Sequence, residues 1–169
     1  DPQTWLLTVA TPWNLAWRPG ERPQLAVASS FPDTSAGVEL FELGRPESTV
    51  ELGPRGPLAF SPDGSLLAVN QGTDVVILGV GDAFLMALGD PVSLRNPTRQ
   101  RPIWGGDGRG LWGWVENVEP PTGFALCRVP LPTEMTGQPE IPRFCLPGVL
   151  ARAPAPFDFA PDGSLWAVL

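Results

Sequence analysis

Apolar residues recur along this chain in short runs separated by clusters of Pro, Gly, Asp and Ser. The clearest case is Leu58-Ala59-Phe60, then Ser61-Pro62-Asp63-Gly64-Ser65, then Leu66-Leu67-Ala68-Val69. Pro62 presets φ for the first central position of a turn and Gly64 supplies a left-handed residue after it, so the two apolar runs read as the arms of a tight hairpin. Val75–Leu78 is apolar at successive positions, as expected of a strand covered on both faces. With 22 Pro and 19 Gly the chain is punctuated too often for long helices, and an all-β fold is predicted.

The hairpin is used more than once. Pro57–Val69, PLAFSPDGSLLAV, returns as Pro156–Val168, PFDFAPDGSLWAV. Two weaker copies lie between and before them. Leu15–Gly20 leads into Gln24–Val27, and Ile103–Gly108 leads into Leu111–Trp114. The aromatic residue before the turn stands at Trp17, Phe60, Trp104 and Phe159.

An aromatic followed by Ser/Ala-Pro-Asp-Gly-Ser and Leu-x-Ala-Val resembles the repeat of β-propellers of the WD40-like and TolB-like kind, where it joins the innermost strand of a blade to the next. The first two spacings suit the roughly 40–45 residues of a four-stranded blade, and the third implies an inserted loop. The resemblance implies one β-propeller domain over 1–169, with about four blades of mostly four antiparallel strands at about 13–56, 57–100, 101–155 and 156–169, the last blade incomplete. The expected strands of the first blade are Asn14–Trp17, Gln24–Ser29, Val38–Leu43 and Ser48–Leu52, with a loop at Ser30–Gly37. Those of the second are Leu58–Phe60, Leu66–Asn70, Asp74–Val80 and an outer segment within Phe84–Leu94, where Phe84–Leu88 is alternatively a helical turn. The third has Pro102–Trp104, Leu111–Glu116, Gly123–Val129 and Arg143–Leu146, with a Pro-rich excursion over Pro130–Pro142. The fourth has Phe157–Phe159 and Leu165–Leu169. Residues 1–12, chiefly Thr4–Thr11, are expected to supply a closing strand. A ring closed within the chain would still lack about sixteen residues of a blade. A small four-bladed ring with one three-stranded blade stays open, but a piece of a larger propeller or a partial ring completed by another chain, either covering the open edge, is the favoured expectation.

Charge narrows the partners. Eleven Arg and no Lys or His stand against 18 acids, a net charge of −7 that repels phosphate backbones, so other protein chains are the expected partners and nucleic acid is not. Arg in place of Lys suits a GC-rich or heat-adapted source, bacterial by expectation. No apolar run approaches the roughly 20 residues of a membrane-crossing helix, and no transmembrane segment is expected. Cys127 and Cys145 lie in two strand-like segments. A disulfide between them and a pair of inert buried thiols are both open, and a bridge would favour a periplasmic or secreted location over the cytoplasm.

The absence of His removes Ser-His-Asp and Cys-His chemistry and the usual zinc clusters, so no metal or cofactor is expected. Neither a GxGxxG between strand and helix nor a GxxxxGK is present. Asp63, Asp107 and Asp162 sit in turns, where Asp before Gly is turn chemistry. Asp158, in an inner strand, is the one acid placed to reach a central channel, too few for the carboxylate pair of a glycosidase. Trp112 and Trp114 share a strand face and, beside Arg101 and Arg109, form a candidate contact for a partner chain or a sugar ring; inter-blade core is the competing reading. The Gly-His and Trp-Asp dipeptides of WD40 proteins, and the hydrogen-bond network built on that His, are missing. The expected function is a non-catalytic scaffold for protein–protein interaction, and the alternative is a glycan-binding or glycan-cleaving propeller using those Trp residues and carboxylates.

Overall fold

The computed structural model describes residues 12–20, 24–29, 38–42, 56–71, 73–81, 85–96, 100–117, 122–132, 136–137, 142–159 and 165–167. The fold is all-β, and its strands form four antiparallel sheets taken up in chain order. The first sheet is β1 (Pro12–Trp17), β2 (Gln24–Ser29) and β3 (Val38–Glu42). In the second, β4 (Leu58–Phe60), β5 (Leu66–Asn70) and β6 (Asp74–Val80) are followed by β7 (Leu85–Ala87) and β8 (Val92–Ser93), both of which pair with β6. The third comprises β9 (Ile103–Trp104), β10 (Gly110–Asn117), β11 (Gly123–Pro130) and β12 (Phe144–Ala151). Strands β13 (Phe157–Phe159) and β14 (Leu165–Ala167) make the fourth. Each sheet opens on the strand that carries one of Trp17, Phe60, Trp104 and Phe159.

Most expected strands are found within a residue or two of their expected bounds, and the differences have local causes. The outer segment of the second sheet is two short strands rather than one, and Leu85–Ala87 is extended rather than a helical turn. Strand β12 runs on to Ala151 instead of stopping at Leu146. Pro147 falls between Cys145 and Leu150, where the register with β11 is broken, so it removes no ladder hydrogen bond. Thr4–Thr11, Ser30–Gly37, Ser48–Leu52 and Asp162 lie outside the described residues, as does part of Pro130–Pro142.

Alternation along the strands gives the first three sheets two apolar faces, and successive sheets pack through them. The second sheet sends Leu58, Phe60, Leu67, Val69 and Leu78 onto Ala16, Ala26, Ala28, Val38 and Leu40 of the first. Its other face carries Leu66, Ala68, Val75 and Ile77 against Leu111, Leu131 and Trp104 of the third. The third then meets Phe157 and Phe159 of the fourth with Trp112, Trp114 and Leu126. The continuous apolar character of Leu66–Val69 follows, since both of its parities are buried.

The turns hold this stack in register at one end. Asp63 Oδ1 accepts from Ser61 Oγ at 2.6 Å and from the Ser65 backbone N–H at 3.1 Å, while Oδ2 accepts from Ser65 Oγ at 2.8 Å. Asp107 repeats the motif by accepting from the Arg109 backbone N–H at 3.0 Å, and it also pairs with the Arg128 guanidinium. Gly64, at φ +71°, has no room for a side chain: a Cβ there would lie 2.6 Å from the Pro19 carbonyl oxygen in the turn of the preceding sheet. Gly64→Ala is expected to cost roughly 1–2 kcal/mol from the left-handed backbone alone, read as a lower urea midpoint, with the clash adding to it.

Burial pushes the Asp63 carboxyl up, but the hydrogen bonds from Ser61 and Ser65 outweigh it and hold it below its ordinary value of 3.8. The hydrogen bond from Arg128 is the main cause of the lowering at Asp107, opposed by a smaller burial effect. Both carboxylates therefore support the fold fully above the unfolded carboxylate range, and that support is lost as pH falls through the lower folded values. Melting curves between about pH 4 and 2 should fall less steeply for Asp63→Asn than for the parent; an identical pH dependence would remove Asp63 from this account.

Candidate functional site

The first strands of three successive sheets border a groove of about 540 Å³. Phe60 contributes from β4, Arg101, Ile103 and Trp104 from β9 and its approach, and Phe157 and Asp158 from β13. Its shape follows from how these strands are tied together. The Trp104 indole Nε1–H donates to the Ala59 carbonyl at 3.0 Å, strapping the third sheet to the second. Gln100 holds β13 at both ends of its amide: Nε2 donates to the Phe157 carbonyl at 2.9 Å and Oε1 accepts from the Phe157 N–H at 3.1 Å. Asn70 Nδ2 in turn donates to the Gln100 carbonyl at 2.7 Å.

The same device recurs at the first junction. The N–H of Leu58, two positions before Phe60, donates to Asn14 Oδ1 of the preceding sheet at 3.3 Å. Phe157 stands two positions before Phe159 and is served by Gln100 in the same way. The equivalent position before Trp104 is Pro102, which has no N–H to satisfy. A free backbone donor at this position is thus met by an amide from the sheet before it, or is absent.

Asp158 lies in this groove with Arg101, both exposed, and its Oδ1 accepts from the Phe159 N–H at 2.8 Å. It is the only carboxylate among the described lining residues, so they assemble no acid–base pair. The charged contact expected around Trp112 and Trp114 is not brought together. Arg101 precedes β9, whereas Arg109 follows the turn at the other end of that strand, half-buried. Trp114 is 1% exposed, packs edge-on against Phe157 at 6.0 Å and donates its indole N–H to the Ala155 carbonyl at 2.7 Å. Trp112 is half-buried between Phe159, at 5.0 Å, and Phe144, at 6.2 Å. The face the two share is the one that receives the fourth sheet. Cys127 and Cys145 face each other across β11 and β12 and are joined in a disulfide.

A second surface was missed as a site in the sequence. In the second sheet, register lines up Phe60 with Leu67 and Leu78, and Leu58 with Val69, on the face packed against the first sheet. Trp104, Leu111 and Val129 form the matching row of the third sheet, packed against the second. On the first sheet the matching residues are Trp17, Leu25 and Phe41, with Leu15 beside Val27. Leu25, Val27 and Phe41 are buried, but Leu15 and Trp17 are 54% and 59% exposed, against 0% and 9% for Leu58 and Phe60. The signal was present in the hairpin repeat, which places Trp17 where Phe60 stands.

The described residues contain no group of three or more His, Cys, Asp or Glu side chains suited to a metal ion, and no helix among them is long and apolar enough to cross a membrane. No protein-family model matches the chain, and no curated protein matches it. Among solved structures it is similar to a protein of Bacteroides uniformis provisionally named a 6-phosphogluconolactonase, with 17% identity and a TM-score of 0.46, over 92% of this chain and 46% of that one. The chain thus spans less than half the length of that protein.

The two surfaces differ in what they hold. Phe60→Ala should cost about 3–5 kcal/mol as a buried aromatic truncation, whereas Trp17→Ala at the equivalent place should cost under about 1 kcal/mol. Chemical denaturation of the two variants checks this; equal losses would mean that Trp17 is already covered.

Proposed function

We propose that this chain is a blade-repeat protein of the β-propeller type that serves as a non-catalytic module for protein–protein interaction, joined to a larger assembly through the face of β1. The observation that carries the reading is the exposure of Leu15 and Trp17 on a face whose equivalents in the next two sheets are seated on a neighbour. Exposed apolar groups at a position the fold otherwise buries mark an interaction site. The occupant would be another antiparallel sheet, presenting small apolar side chains as Ala16, Ala26 and Ala28 do for the second sheet. The groove beside Arg101 and Asp158 offers a further contact for a polar partner segment. A net charge of −7 favours partners of positive charge. The disulfide suits an extracytoplasmic, oxidising location. A glycan-handling role has less support, because Trp112 and Trp114 are engaged between sheets.

The test supplies the occupant. Residues 57–100 duplicated directly ahead of Asn14, in place of 1–13, keep the natural spacing between Phe60 and Trp104 and set the Leu66–Ala68 face of a second-sheet copy against Trp17. Trp17 emission, taken as the difference between the fusion and its Trp17→Phe variant, should become several-fold less sensitive to acrylamide than in the parent. A fusion that melts cooperatively while Trp17 stays as quenchable as before would overturn the proposal.

A further inference from the structure

The two halves of the disulfide stand in different surroundings. Cys127 belongs to β11, which is flanked by β10 and β12, and it is fully buried. Its register partners are Gly113 on one side and Cys145 on the other, so the row faces the second sheet, where Leu94 and Asn96 close over Gly113. Cys145 belongs to the outermost strand and is exposed. Arg143, two residues before it, is exposed as well and directs Nη2 to Cys127 Sγ at 3.7 Å.

From this asymmetry we propose that the Cys127–Cys145 bridge is a site of directional thiol exchange, in which an incoming thiolate attacks Cys145 Sγ and Cys127 departs. Exchange requires the attacking sulfur to approach in line with the S–S bond. In-line attack at Cys127 would have to come from the Gly113 side, which Leu94 and Asn96 cover, so access selects Cys145. In the step, the new bond joins the incoming sulfur to Cys145 Sγ, the Cys127–Cys145 bond breaks, and its electron pair leaves on Cys127 as a thiolate. A second thiol, from a dithiol reductant, then displaces Cys145 and takes up the oxidised equivalent, leaving both cysteines reduced. Burial disfavours the Cys127 thiolate, and the Arg143 guanidinium offsets part of that cost by placing a positive charge beside the leaving sulfur.

Opening the bridge acts on one strand. Among the described strands β12 pairs with β11 alone, and its register is broken between Ala125 and Cys127. Pro147 donates no hydrogen bond, and Phe144 is 52% exposed although its ring meets Trp112 edge-on. The first and second sheets share no residue with the bridge, and Leu146, Val149 and Ala151 pack β12 against the Trp114–Phe157 core, so reduction would loosen β12 at its Phe144–Cys145 end and leave that packing in place. This inference does not rest on the proposed partner surface.

Glutathione exchange stopped directly with excess iodoacetamide tests it, since trypsin places the two cysteines in separate peptides, one ending at Arg128 and one starting at Phe144. The single-turnover product should carry glutathione on Cys145 and the alkyl group on Cys127. Glutathione chiefly on Cys127, an even split, or no adduct at all would overturn the proposal. Arg143→Gln should slow adduct formation by roughly threefold with an unchanged circular dichroism spectrum, and an unaltered rate would remove the guanidinium from the step.

Discussion

The architecture depends on one repeated contact: a row of bulky apolar side chains, starting on the first strand of a sheet, seated on the sheet before it. Phe60-Leu67-Leu78 and Trp104-Leu111-Val129 are two instances. The receiving faces of the first two junctions are built largely from Ala, Val, Leu and Ile, which lets large side chains approach the backbone opposite. At the third junction both sides are aromatic, and Trp112, Trp114, Phe157 and Phe159 interlock at 5.0 to 6.3 Å in tilted and edge-on geometry. Close seating then constrains the turns. Gly64 abuts Pro19, and a Cβ at Gly108 would lie 3.6 Å from Pro62, so the turns stack along with the sheets they terminate.

Burying so much sheet face also demands closure of the backbone groups at its margins, because an unmet buried N–H or carbonyl costs more than a made hydrogen bond contributes. Asn14 and Gln100 serve this need for the first strands of the sheets that follow them. Two indoles do the reverse, donating from one sheet to carbonyls of a neighbour: Trp104 to Ala59 and Trp114 to Ala155. Arg18 extends the same logic to the turns, with Nε donating to the Gly64 carbonyl at 2.8 Å. The groove that holds Arg101 and Asp158 is therefore walled by strands fixed across sheets.

Function, on the proposed reading, is this same contact left open at one strand, β1. Leu15 and Trp17 repeat the chemistry of Leu58 and Phe60 without their cover. Cohesion is uneven elsewhere too: the central sheets are buried on both faces, whereas β12 has Phe144 and Cys145 exposed at one end and Ala151 buried against the third core at the other. Binding and chemical change are thus placed at the margins of the stack, where adjustment does not disturb the packed rows.

Much of the fold was legible in the chain. The Pro-Asp-Gly turn, the alternation around it and its returns at Trp17, Trp104 and Phe159 located the hairpins, because turn chemistry and side-chain parity are local properties. The turn role of Asp63 was readable for the same reason. Which face of a strand is covered was not, because that depends on the neighbouring sheet: Trp112 and Trp114 read in sequence either as core or as a contact surface, and Trp17 looks like Phe60. The end of β12 was misjudged because the strand passes through an irregular stretch at Leu146–Val149 and pairs again at Leu150 and Ala151. Asn14, Gln100 and the facing of Cys127 by Cys145 became meaningful only once strands distant in sequence lay side by side. Periodicity and turn residues determined the elements; which side chains are sealed, strapped or left open was decided by the stacking of whole sheets, where burial and hydrogen-bond closure are settled together.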